Sequence, residues 1–112
     1  REIKVEGVYS GQDALDHLAH NPIDVVILDV RMPGMDGIET LKEIKRRHPI
    51  LEVIMLTGHA DADVAIFVME LGAFEYLLKP IEIDHLIFKI QDAYQKKTIK
   101  EDFKNNPHFS FF

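Results

Sequence analysis

Apolar and polar positions along the chain fall into alternating blocks of two kinds. Val25-Val26-Ile27-Leu28 has neither a helical nor an alternating period, the pattern of a strand buried on both faces inside a parallel sheet, and it ends in Asp29. Leu51 to Leu56 is a second such run, broken only by Glu52, and ends in Thr57-Gly58; Phe74 to Leu78 is a shorter third, ending in Lys79-Pro80. Ile3 to Tyr9 alternates at its start and suits a strand near a sheet edge. Between these runs the spacing becomes helical. Ala14, Leu15, Leu18 and Ala19 make the inner stripe of a helix from Ser10 to about His20, with Ser10 and Asp13 as a capping box and Asn21-Pro22 as its stop. Pro33-Gly34-Met35-Asp36-Gly37 is a turn by composition, and Ile38, Leu41 and Ile44 carry a helix on to about His48-Pro49. Asp61 caps a helix to Leu71, after which Gly72 suits a left-handed residue; a last helix runs from Ile81 to about Thr98 with Ile83, Leu86, Ile87, Ile90 and Tyr94 on its inner face. Alternating strands and helices predict an α/β fold with a mainly parallel sheet.

Composition narrows this picture rather than changing it. At 112 residues one domain fits and a second does not. A net charge of -6 argues against direct nucleic-acid binding, and the absence of cysteine removes disulfides and thiolate metal sites. No apolar stretch reaches membrane-spanning length, so a soluble, cytoplasmic domain is expected. Residues 99 to 112 have no assignable period and read as a C-terminal extension or linker, with Lys96-Lys97-Thr98-Ile99-Lys100 as a solvated helix end.

The candidate chemistry lies where the strands end. In a parallel sheet the carboxyl ends of consecutive strands lie side by side, and ligands of open α/β sheets bind there. Asp29, Thr57 and Lys79 thus meet at one rim. Singly, each has a plain structural role: an Asp or Thr caps a turn, and a surface Lys forms a weak ion pair. Together they suit attack of a carboxylate on phosphorus to give an aspartyl phosphate, with Asp29 as nucleophile, Lys79 as fixed positive charge and Thr57 as hydroxyl donor to a phosphoryl oxygen. Pro80 after the strand-end Lys suggests a cis peptide that turns the amine into the site.

Ile27-Leu28-Asp29-Val30-Arg31-Met32-Pro33-Gly34-Met35-Asp36-Gly37, Val53-Ile54-Met55-Leu56-Thr57-Gly58 and Gly72-Ala73-Phe74-Glu75-Tyr76-Leu77-Leu78-Lys79-Pro80 resemble, in that order, the motifs of receiver domains of two-component response regulators. The resemblance spans about Ile3 to Lys97. It implies a flavodoxin-like, CheY-like doubly wound sheet of order 2-1-3-4-5, phosphorylation on Asp29 by a sensor histidine kinase, Mg²⁺ as cofactor, and a signal passed to a downstream output domain or protein. The family's phosphoacceptor, switch hydroxyl and lysine map onto Asp29, Thr57 and Lys79, its switch aromatic onto Tyr76, and its metal-binding backbone carbonyl onto Arg31.

One departure stands out. The family's first strand ends in an acidic pair that holds Mg²⁺, and that strand and its helix have no counterpart in residues 1 to 98, so the sequence reads as a receiver domain lacking its first βα unit. A second reading follows from the missing pair: a pseudo-receiver that serves only as a protein-interaction module. A small-molecule α/β enzyme finds no pocket motif. His17 and His20, three apart on one helix, lack a further clustered ligand, and His59 reads as a loop residue close to the site.

The expected exit for the signal comes from helical geometry. Val64, Ala65, Val68 and Leu71 form one stripe facing the sheet, which turns Ile66 and Met69 outward and leaves Phe67 at the border; Phe88 is likewise off the inner stripe of the last helix. Ile66, Phe67, Met69 and Phe88 are therefore expected at a homodimer or partner interface adjoining Tyr76.

Overall fold

The computed structural model describes residues 11–20, 23–30 and 36–105, with side chains as far as residue 101. In chain order its elements are α1 (Gly11–His20), β1 (Val25–Asp29), α2 (Gly37–Arg47), β2 (Glu52–Thr57), α3 (Ala62–Glu70), β3 (Glu75–Leu78) and α4 (Ile83–Asn105). The strand expected at Ile3 to Tyr9, the Ser10 cap, the Asn21-Pro22 stop and the segment Arg31 to Met35 lie outside the described residues.

The three strands pair in parallel in the order β1-β2-β3, with Asp29 opposite Leu56 and Thr57 opposite Leu78. That is the arrangement of three consecutive strands on one side of a 2-1-3-4-5 sheet. Alternate side chains of each strand enter different cores, which is why the strand sequences are apolar without alternation. Val26, Leu28, Val53 and Met55 pack under α1, α2 and α3 with Leu15, Leu41, Ile44 and Val68; Val25, Ile54 and Leu77 pack under α4 with Ile90 and Ala93. Leu28 and Ile54 are fully buried, each worth about 1.5–3 kcal/mol by transfer from water.

Local signals set the helix ends. Asp61 accepts from the Asp63 and Val64 amides, Asp36 accepts from the Glu39 amide, and Gly72 takes the left-handed conformation with φ 103° after α3. Lys45 closes the end of α2 by donating to the carbonyls of Pro49 and Leu51; partial burial holds its pKa below the usual lysine value.

The last helix departs from expectation in two ways. It continues without a break past Thr98 to Asn105, and its inner face is centred on Leu86, Ile90 and Ala93, leaving Ile83 at 67% and Ile87 at 45% exposure. The lysines expected in solvent explain both. Lys97 pairs with the buried Asp24 at the entry to β1, Lys100 with the buried Glu52 at the start of β2, and the Lys96 ammonium lies over the ring of Phe74, which leads into β3. Going round the helix from Lys97 through Lys100 to Lys96, the partners move across the sheet from β1 to β3. At about 100° per residue Ile83 and Ile87 lie on the far side of Lys97, beyond β1, and so miss the sheet. Burial pulls the Lys97 ammonium toward neutrality, but its hydrogen bonds to Glu101 and Asp24 outweigh that and raise its pKa above the usual value.

Candidate functional site

The parallel register carries Asp29, Thr57 and Lys79 to one end of the sheet. Main-chain bonds lock the three strand ends together: the Val30 amide donates to the Leu56 carbonyl at 3.1 Å and the Lys79 amide to the Thr57 carbonyl at 2.7 Å. The Lys79 ammonium donates to Asp29 Oδ2 in a close ion pair, and both side chains are partly exposed. The Lys79-Pro80 peptide is cis, as the Lys-Pro pair suggested.

Thr57 is 3% exposed, and its hydroxyl accepts from the His59 amide at 3.2 Å. Tyr76 packs its ring against the core beneath α3 and donates its hydroxyl to the His59 carbonyl at 3.3 Å. The two side chains therefore grip the amide and the carbonyl of one residue, in the loop between β2 and α3. This link escapes the sequence because it runs through a main chain, and main-chain groups leave no residue signature.

Behind the acid, α2 begins almost against the main chain of Asp29. Gly37 donates to the Val30 carbonyl at 3.1 Å, and a Cβ there would stand 2.8 Å from Val30 Cα. Asp36 caps this helix and Thr40, fully buried, donates its hydroxyl to the Asp36 carbonyl at 2.8 Å, so the positive end of the helix dipole is held beside the acidic rim.

Farther along the edge strand, Glu75 accepts from Lys89 of α4 at 2.9 Å. Burial pushes the Glu75 carboxyl up, but the bonds from Lys89 and the Tyr76 amide prevail and hold it below the usual range; the same partner raises Lys89.

The four expected interface residues are all exposed, three on α3 and one on α4. Ile66 and Met69 line a shallow apolar groove with Ala65 and Glu70. Phe67 turns to the other flank of α3, where the Lys42 ammonium of α2 lies 5.4 Å from its ring centre. Phe88 is 58% exposed on α4, across the sheet. Val64, Val68 and Leu71 pack on the core as the stripe predicts, while Ala65 lines the groove.

The sequence profile of the response regulator receiver domain matches residues 1–91. The chain belongs to that family. It is 43% identical over 98 residues to the DNA-binding transcriptional regulator NtrC of Klebsiella pneumoniae, covering 88% of this chain and 21% of that protein, and 34% identical over 105 residues to the luminescence regulatory protein LuxO of Vibrio campbellii, covering 94% and 23%. The chain thus spans about a fifth of the length of these curated relatives. Among solved structures, a response regulator receiver domain protein from Clostridium thermocellum superposes with a TM-score of 0.74 at 43% identity, covering 80% of this chain and 73% of that one. NtrX from Brucella abortus superposes with a TM-score of 0.79 at 29% identity, covering 87% and 23%. The expected α/β, flavodoxin-like receiver fold is therefore observed.

As a receiver, the domain is a signalling module of a two-component system, whose family works with a sensor kinase and an output domain and commonly uses Mg²⁺ at the phosphorylation site. The described residues offer that ion part of a site. Asp29 is the carboxylate at the rim, and no group of three or more His, Cys, Asp or Glu side chains among the described residues could hold a metal; Arg31, the expected carbonyl ligand, lies outside them. No helix among the described residues is long and apolar enough to cross a membrane.

Proposed function

We propose that this receiver is a phosphoacceptor switch in which Asp29 takes a phosphoryl group from a sensor histidine kinase. An Asp29 carboxylate oxygen attacks phosphorus, the bond from phosphorus to the donor breaks, and the donor departs with the electron pair. The single observation that carries this reading is the Lys79 ammonium seated on Asp29 Oδ2, where it already stands beside the oxygens on which negative charge builds. Thr57 then turns its hydroxyl proton from the His59 carbonyl, 3.5 Å away, to a phosphoryl oxygen. Because Tyr76 holds the carbonyl of that same residue, a shift of the loop frees or tightens the aromatic side chain, and the change reaches β3 and its flanking helices. The groove at Ile66 and Met69 on α3 is the proposed contact for an output domain or a second copy, with Phe88 as a further exposed point; Ile66→Asp should weaken such association in a mass measurement.

A small phosphodonor such as acetyl phosphate, with Mg²⁺, tests the reading. Hydroxylamine-labile phosphate on the parent chain and none on Asp29→Asn supports it, whereas full labelling of the variant refutes the assignment. A second reading, an interaction module that is never phosphorylated, is favoured by the absence, among the described residues, of a group of three or more His, Cys, Asp or Glu side chains that could hold a metal. Absence of labelling in both proteins, with folding intact, would decide for it.

A further inference from the structure

At the opposite end of the sheet from Asp29, one helix grips all three strands. Lys97 reaches Asp24 at 3.0 Å before β1, Lys100 reaches Glu52 at 2.6 Å at the start of β2, and the Lys96 ammonium sits 5.5 Å from the ring centre of Phe74 before β3. The acids are deep: the side chains of Asp24 and Glu52 are 3% and 0% exposed, and Lys97 is 12% exposed and tied further to Glu101 at 2.6 Å. Burying two carboxylates at the base of a sheet is unfavourable unless their partners are held in place, and Glu52 Oε2 has no hydrogen bond at all. The lysines must therefore stay, and with them the turns of α4 that carry them.

Length makes this consequential. The strands are four to six residues long, and α4 has 23 residues ending at Asn105. A helix that merely covered the sheet would have no reason to persist beyond its last apolar contact, and Ala93 and Tyr94 are the last described residues of α4 in or against its core. The ion pairs take over where the apolar stripe stops.

We propose that Asp24, Glu52 and Phe74 with Lys97, Lys100 and Lys96 form a clamp that fixes the direction in which α4 leaves the sheet, so that the helix end is a rigid lever joined to all three strands rather than a loose tether. A displacement of β1, β2 or β3 relative to its neighbours is then read out at the helix end, through contacts separate from the Tyr76 strand face.

Amide hydrogen exchange on the full 112-residue chain, followed by mass spectrometry, tests this. In the parent, amides 97–101 should exchange within about tenfold of amides 90–94. In Asp24→Asn/Glu52→Gln they should exchange at least about a hundredfold faster while 90–94 keep their protection. Lys97→Met/Lys100→Met approaches the clamp from the other side and should give the same local loss. Free exchange of 97–101 in the parent, unchanged protection in both variants, or loss of protection across the whole domain in both, would each overturn the proposal.

Discussion

Replacing Gly37 by alanine tests whether the start of α2 is a fixed wall of the site. The added methyl would stand 2.8 Å from Val30 Cα and 3.0 Å from the Val30 carbonyl oxygen, and closer still to the carbonyl oxygen of Asp29. Carbon atoms in ordinary contact sit about 3.5–4.0 Å apart, so the helix and the strand end must separate by well over half an ångström. All three obstructing atoms are main chain, and none can swing aside as a side chain would. Overpacking of this kind costs about 1–3 kcal/mol, and stretching the bond from the Gly37 amide to Val30 adds up to about 1 kcal/mol. Better helix propensity returns at most about 1 kcal/mol, and less in a first turn. The expected net loss is about 1–3 kcal/mol, read as a lower urea midpoint with the slope unchanged. Because the displaced atom belongs to Asp29 itself, the rate of labelling by acetyl phosphate should fall by about tenfold or more. Gly58→Ala is the control: nothing lies within 4 Å of its Cβ position, and it should stay within about 0.5 kcal/mol of the parent. A Gly37→Ala protein equal to the parent in both stability and labelling would refute the reasoning.

Tyr76→Phe removes the donor to the His59 carbonyl while keeping the ring in the core; stability should drop by about 0.5–1.5 kcal/mol, labelling at Asp29 should persist, and the response of α3 and β3 to labelling, followed by hydrogen exchange, should shrink. An undiminished response would remove Tyr76 from the relay. The Glu75–Lys89 pair predicts a dependence on acidity. Glu75 has a folded pKa below its unfolded value, so its stabilisation is present above the unfolded value and disappears as pH falls through the folded one. Lys89→Met should therefore be less stable than the parent near neutrality, with the gap narrowing as pH falls below the usual glutamate range and closing once Glu75 is protonated, in thermal melts; a gap independent of pH would exclude the ion pair as its origin.

The strands were legible because burial on both faces writes an unmistakable run such as Val25 to Leu28, and because a polar residue that ends such a run has only one rim to occupy. Thr57 and Lys79 followed from that rule, as did the caps at Asp61 and Gly72 from turn chemistry. The last helix was read less well. A window centred on its branched residues gave weight to Ile83 and Ile87, whereas the sheet beneath favours Ala93 and the stems of three lysines; charged residues hide inner positions when their acids, here Asp24 and Glu52, are remote in sequence. Phe67 shows a related limit, since periodicity reports an angle to the sheet and not which neighbouring helix a border residue meets.

The two ends of the sheet differ in how they meet the surrounding electrolyte. Asp29 and Lys79 are 35% and 44% exposed, so mobile ions can approach and weaken their attraction, whereas Asp24 and Lys97, at 3% and 12%, are shielded from them. Ionic strength therefore acts as a selective reagent on this molecule: added salt loosens the lysine from the acid at the rim while the pair at the base holds, making the rim receptive to its surroundings and the base indifferent to them.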